Sequence, residues 1–188
     1  MKLVTTDDQD HSILRRPAQA VEFPLSDKIL QLLDEMEAFI HSLESPNGLP
    51  AGLAATQVGQ PYSIVFINVP EEAKTRRKDV YDVIPLMPLI NPRYTPIPSE
   101  GRSKDWEACY SVPDKMGEVW RYEVIYFEAM TCDGEKISRE ARGFLARVLQ
   151  HEIGHLNGEL FTDLITEGCR LGTMEEMMAL RLQELAAE

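Results

Sequence analysis

The feature that most constrains this chain is the run Gln150-His151-Glu152-Ile153-Gly154-His155, which contains the pattern His-Glu-x-x-His. On an α-helix, residues four apart lie one turn apart on the same face, so His151 and His155 can turn both imidazoles toward one metal ion. Glu152 follows the first of them directly. That places a carboxylate beside the ion, where it can accept a proton from water. Two of the four histidines in the chain fall in this window. The bland alternative is a chance pattern on a packing helix, but nothing else in the chain offers a comparable constellation.

The same helix face extends further. Phe144, Val148, His151 and His155 are spaced i, i+4, i+7 and i+11, so the metal face continues into an apolar stripe. Part of that stripe is core. The rest is suited to a pocket for an unbranched hydrophobic side chain. A catalytic metal also needs a third protein ligand and an open position. A third histidine on the pattern H-E-x-x-H-x-x-G-x-x-H fits at Gly158 but fails at Phe161. A downstream carboxylate from Glu167, Glu175 or Glu176 is open on spacing. So is a thiolate from Cys109, Cys132 or Cys169. Three sparse cysteines do not make a disulfide framework, and the default for each is a small buried hydrophobe.

Bulk properties bound the rest. The chain has 188 residues, 44% of them hydrophobic. That is enough for one domain with a proper core. We expect a single catalytic domain over residues 1–170 and a C-terminal amphipathic helix or tail over 171–188. The net charge of -12 argues against nucleic acid as a partner, since phosphate contacts need clustered Lys and Arg. The one dense basic cluster, Lys74 to Lys78, lies between Glu71-Glu72 and Asp79 and reads as a solvated loop. No apolar stretch is long enough to span a bilayer. Met1 to Asp10 has no apolar region of a secretory signal. The expectation is a cytoplasmic monomer with no membrane contact.

Local patterns predict a helix over 26–43 behind a Ser26 N-cap, with Ile29, Leu32, Leu33, Met36, Phe39 and Ile40 at helical spacing. Ser45 to Gly52 reads as a turn-rich loop and 63–68 as a buried strand. Residues 70–82 read as an exposed charged loop. Residues 85–91, interrupted by Pro85 and Pro88, read as an edge strand. Residues 119–131 and 135–138 read as two strands joined around Asp133-Gly134. A helix is predicted from about 140 to 157 with Gly158 as C-cap, and another from 173 to 187. Strands come in a run between helices, which indicates an α+β fold with antiparallel or mixed pairing.

Two further motifs stand upstream: Gly52-Leu53-Ala54-Ala55-Thr56-Gln57-Val58-Gly59, and Trp106-Glu107-Ala108-Cys109-Tyr110-Ser111-Val112-Pro113. With Gln150 to Gly158 they resemble, in order and roughly in spacing, the three signature motifs of the peptide deformylase family. The resemblance covers about residues 10–165. It implies a compact α+β domain in which a central metal-bearing helix lies against antiparallel strands. It implies that Cys109, His151 and His155 hold the metal and that Glu152 is the catalytic base and acid. It implies that the Gln57 side chain and the Tyr110 backbone N–H receive the oxyanion, and that Gly52 lets the backbone come close to metal and substrate. Phe144 and Val148 would then receive a methionine side chain. The implied reaction is removal of the formyl group from N-formyl-methionine of nascent polypeptides, by attack of metal-activated water on the formyl carbonyl. The implied metal is a single divalent ion, Fe2+ in the cell, with Ni2+, Co2+ or Zn2+ able to substitute.

The sequence also departs from the family pattern. Gly154 stands where the family carries Asp, which leaves Arg121 without the acidic partner it resembles a counterpart of. Pro50, Ala108 and Met116 replace the usual Gly, Gly and Arg. The family implies transient ribosome contact, yet Met174 to Glu188 has four Glu against one Arg, so a basic docking tail is not evident. Rival readings are a small metalloprotease using a downstream Glu, a binding protein that keeps the fold without turnover, and a structural chain with a chance motif.

Overall fold

The computed structural model describes residues 1–43 and 48–187; Ser45, Pro46 and Asn47 of the expected turn-rich loop lie outside them. In chain order the regular elements are α1 (Asp27–Ser42), β1 (Gly52–Ala54), β2 (Ile64–Val69), β3 (Ile84–Pro96), β4 (Arg102–Cys109), β5 (Val112–Tyr122), β6 (Val124–Met130), β7 (Lys136–Arg142), α2 (Gly143–Leu156), β8 (Leu171–Thr173) and α3 (Met174–Ala187). The strands form two sheets, one in the order β1-β2-β3-β6-β7 and one in the order β4-β5-β8. Every ladder is antiparallel, and the fold is α+β.

β2 shows how the sequence builds the core. All six of its residues are buried, because the five-stranded sheet is covered on both faces. Ile64 and Phe66 pack with Ile29, Leu33, Met36 and Ile40 of α1. Val65, Ile67 and Val69 pack the other way, with Leu145, Leu149, Ile153 and Leu156 of α2. α1 begins as its sequence requires, with the Ser26 hydroxyl accepting from the Ile29 N–H at 3.4 Å. α2 is buried almost all round and touches strands of both sheets, as a central helix must.

Several boundaries differ from the sequence reading, each for a physical reason. The 85–91 segment belongs to a 13-residue strand inside the sheet. Residues Ile84 to Ile90 pair with β2 and Ile90 to Pro96 with β6. Each half therefore leaves one side unpaired, which is where a strand tolerates Pro85, Pro88, Pro92 and Pro96. The expected 119–131 strand is split at Glu123: Tyr122 ends β5 in the small sheet and Val124 begins β6 in the large one. No Gly or Pro marks that change of sheet, so periodicity alone misses it. β4, with polar residues along one face, was not anticipated. α2 starts at Gly143 rather than near 140. Gly143 has φ +56, and a Cβ there would collide with the Asp79 carbonyl, so the helix cannot run back through it.

The 70–82 segment is not simply solvated. Ala73 and Val80 are buried, and Arg77 pairs with Asp79 and Asp105 while its guanidinium lies 4.3 Å over the Phe144 ring. α3 is also less one-sided than expected. Met177 is buried against Trp106 and Met116, yet Leu182 and Leu185 are 60% and 57% exposed. No helix among the described residues is long and apolar enough to cross a membrane.

Candidate metal centre

Three elements converge on one point. α2 supplies His151 and His155, one turn apart. The tip of the β4–β5 hairpin supplies Cys109, whose Sγ accepts from the Ser111 N–H across the turn at 3.4 Å. The short 3-10 turn after β1 supplies Gln57, buried to 2% exposure. The Cys109 Sγ lies 3.3 Å from His155 Nε2, and the two Nε2 atoms are 3.2 Å apart. These three residues form a group able to hold a metal ion; Glu167, Glu175 and Glu176 are outside it.

The donor set fits a divalent ion. Two nitrogens bound to one tetrahedral ion at about 2.0–2.1 Å stand roughly 3.3 Å apart, close to the spacing already present. One thiolate and two imidazoles leave a fourth position open. Beside the donors, Glu152 Oε2 and His155 Nδ1 are buried with no hydrogen-bond partner among the described residues. Burial and the charge on His151 hold His155 well below its usual range. His151 goes the other way. Burial opposes its charge, but hydrogen bonds to Cys109 and Glu107 prevail and raise it to about 10.

Glu152 is 6% exposed, and burial pushes its carboxyl up to about 7, with nearby His151 opposing and Glu107 adding to the rise. Its carboxylate lies directly against the backbone of Gly52. A Cβ at position 52 would stand 2.5 to 2.6 Å from the Glu152 Cγ, Cδ and Oε1, so glycine is required there by the Glu152 side chain.

Gln57 is held at both ends. Its Oε1 accepts from the Ala54 N–H at 2.8 Å. Its Nε2 points at the Ser111 Oγ at 3.3 Å and the Cys109 Sγ at 3.4 Å. A cavity of about 200 Å³ opens over these groups, lined among others by Gly52, Gln57, Tyr110, Phe144, Val148 and Glu152. The sequence reading expected an apolar lining from Phe144 and Val148; both line it, together with the charged Arg147 and Glu107. Tyr110, which also lines the cavity, is 45% exposed.

Sequence reading missed Glu107. This buried carboxylate accepts from His151 Nδ1 at 2.9 Å, from Arg121 Nε and Nη2 at 2.9 Å each, and from Arg147 Nη1 at 2.8 Å. Burial pushes its carboxyl up, but the hydrogen bonds from His151 and Arg121 prevail and hold it well below the usual carboxylate range. It fixes the His151 ring through Nδ1 and leaves Nε2 facing the other two candidate donors. One signal was available: Glu107 is two residues from Cys109, so on a strand both share a face. Arg121, expected to lack a partner, is 4% exposed and bonded to Glu107 through two nitrogens. Its Nη1 lies 3.5 Å from Glu159 Oε1.

Fold and site together define a class: an α+β domain whose buried His-Glu-x-x-His helix meets a cysteine at a hairpin tip, with a glutamine amide beside them. Residues 1–170 match the model of the polypeptide deformylase family, and the chain belongs to that family. It is an enzyme of that kind, a metal-dependent hydrolase. Peptide deformylase 2 of Rickettsia conorii is 34% identical over 190 residues, covering 100% of this chain and 91% of that one. The peptide deformylase of Acetivibrio thermocellus is 38% identical over 153 residues, 81% of this chain and 78% of its own. Among solved structures, peptide deformylase from Ehrlichia chaffeensis superposes with a TM-score of 0.73 at 32% identity, covering 89% of this chain and 88% of its own. The class I type b enzyme of Acinetobacter baumannii, bound to Met-Ala-Ser, gives 0.72 at 29% identity over 88% and 98%.

Proposed function

We propose that this chain removes the formyl group from N-formyl-methionine at the start of nascent polypeptides, with one divalent ion on Cys109, His151 and His155. The observation that carries this reading is the convergence of those three donors beside the buried Glu152 carboxylate, whose Oε2 has no hydrogen-bond partner among the described residues and which lines the cavity. Ferrous iron is the proposed native ion, with Ni2+, Co2+ or Zn2+ able to stand in, since a sulfur-and-imidazole set suits all of them. Such an ion supplies a Lewis acid that polarises the formyl carbonyl and makes water acidic near neutral pH.

The chain's own groups do the rest. Glu152 takes the proton of the attacking water. It then delivers a proton to the departing amine nitrogen as the C–N bond breaks, giving formate and a free N-terminus. The Gln57 Nε2 amide and the Tyr110 backbone N–H donate to the carbonyl oxygen as negative charge develops on it. Phe144 and Val148 line the cavity that receives the methionine side chain. Gly52 keeps the first strand close to the carboxylate. The Met-Ala-Ser bound by the A. baumannii relative is the peptide such a reaction leaves behind.

We further take residues 1–170 as the catalytic domain and α3 as a segment packed on it. The chain is proposed to act as a cytoplasmic monomer. The test is formate release from formyl-Met-Ala-Ser by metal-loaded protein. Release of one formate per peptide is the expected result; no release by folded, metal-loaded protein would refute the reading.

A further inference from the structure

The geometry points to a role for Glu159 beyond the surface turn it sits in. We propose that the Glu159 carboxylate, lodged over the bare face of Gly154, is a positioning residue that steadies His151 through Arg121 and Glu107. This rests on the metal reading of Cys109, His151 and His155.

The placement begins with the end of α2. Asn157 closes the helix and Gly158 follows with φ +78. The Gly158 N–H donates to the His155 carbonyl at 3.1 Å, and the Glu159 N–H donates to the Gly154 carbonyl at 2.9 Å. That pair of bonds is the Schellman closure, and it folds residue 159 back over residue 154. Gly158 has no alternative, since a Cβ there would meet the Arg15 backbone at 2.7 Å. The returning Glu159 side chain needs space beside the helix, and Gly154 provides it. A Cβ at 154 would stand 2.8 Å from Glu159 Oε1. Glycine in the middle of a buried helix is otherwise unfavourable. Here it admits a carboxylate.

Charge explains what that carboxylate does. Arg121 and Arg147 have side chains only 5% and 6% exposed. Both bond to Glu107, which also holds the His151 ring. One buried carboxylate thus answers two buried guanidiniums. Glu159, whose side chain is 37% exposed, is the second carboxylate in reach, at 3.5 Å from Arg121 Nη1. With Glu159 neutralised, Arg121 draws on Glu107 alone, and Glu107 is the group that orients a metal ligand.

The experiment uses the full chain loaded with Co2+, read by chelator competition and by its visible absorption, alongside kcat and KM for formyl-Met-Ala-Ser. Glu159→Gln is isosteric and half-exposed, so it retains the fold. It is expected to weaken Co2+ binding about tenfold, to shift the absorption bands, and to lower kcat with KM little changed. The double change Gly154→Asp with Glu159→Ala returns a carboxylate to the same space and is expected to recover most of the loss. Wild-type affinity and spectrum in Glu159→Gln, or a loss that the double change does not relieve, would overturn the proposal. Wild type that binds Co2+ but releases no formate would refute the reaction reading instead, while affinity and spectrum still judge Glu159.

Discussion

Gly52 and Glu152 show how closely a single position can be tied to the chemistry. The Glu152 carboxylate occupies the space a side chain at 52 would need. Gly52→Ala is therefore expected to push the base out of line while leaving Cys109, His151 and His155 in place. A displacement near 1 Å costs about 100-fold in turnover, so kcat should fall by about that factor with metal content unchanged. Metal analysis beside formate release checks it; loss of metal and activity together would mean the glycine serves the fold. At this scale much was legible. His151, Glu152 and His155 follow from helical spacing, and Cys109, Gln57 and Gly52 from the resemblance. Glu107 was not legible, because its importance lies in Arg121 and Arg147, which are 14 and 40 residues away and reach it only through the fold.

The element that concentrates these constraints is α2. It is buried along nearly its whole length, starts at a left-handed glycine and ends in a glycine turn. Helix propensity predicts that Gly154→Ala stabilises it by about 1 kcal/mol. The Glu159 carboxylate stands where the new methyl group must go. We therefore expect Gly154→Ala to hold or raise the thermal midpoint while weakening metal binding, a separation that calorimetry and chelator competition together would reveal. Equal or tighter metal binding would show that the space at 154 is inert. The C-terminal end of α2 was readable from Gly158. The start was not, because Gly143 looks like any helix glycine until Asp79, from a distant loop, is packed against it. The prolines of β3 misled for a similar reason. They do mark unpaired sides, but one half of the strand pairs with β2 and the other with β6, so the strand as a whole lies inside the sheet.

Across the whole molecule, α2 ties two sheets together, and the candidate metal site sits at their junction. Its donors come from α2 and from the tip of the β4–β5 hairpin, so an ion there links both. Removal of the ion is expected to lower the thermal midpoint, and added Ni2+ to restore it, the midpoint climbing with the logarithm of free Ni2+ once that exceeds its dissociation constant. The small sheet has its own fastening. Glu118 on β5 accepts from Arg170 at 2.7 to 2.9 Å and lies 3.1 Å from Lys104. The Arg170 hydrogen bonds, against opposing burial, lower its carboxyl from an ordinary 4.5 to about 2. A lowered folded value contributes stability above 4.5 that is lost as pH falls through about 2. Urea midpoints of wild type and Glu118→Gln should therefore differ at pH 7 and converge between those two values. A constant difference across that range would contradict the assignment. Such long-range fastening, like the change of sheet at Glu123, leaves no local trace in the sequence, whereas the fold class and the three motifs do. The central claim is that one Cys-His-His ion and the Glu152 carboxylate together hydrolyse a formyl amide. The most direct measurement is formate release and bound metal for wild type, Glu152→Ala and Cys109→Ala prepared side by side with Ni2+. We predict formate from wild type alone, with Glu152→Ala inactive but still holding one ion and Cys109→Ala losing it. Undiminished formate release from Glu152→Ala, or full metal retention with turnover in Cys109→Ala, would contradict it.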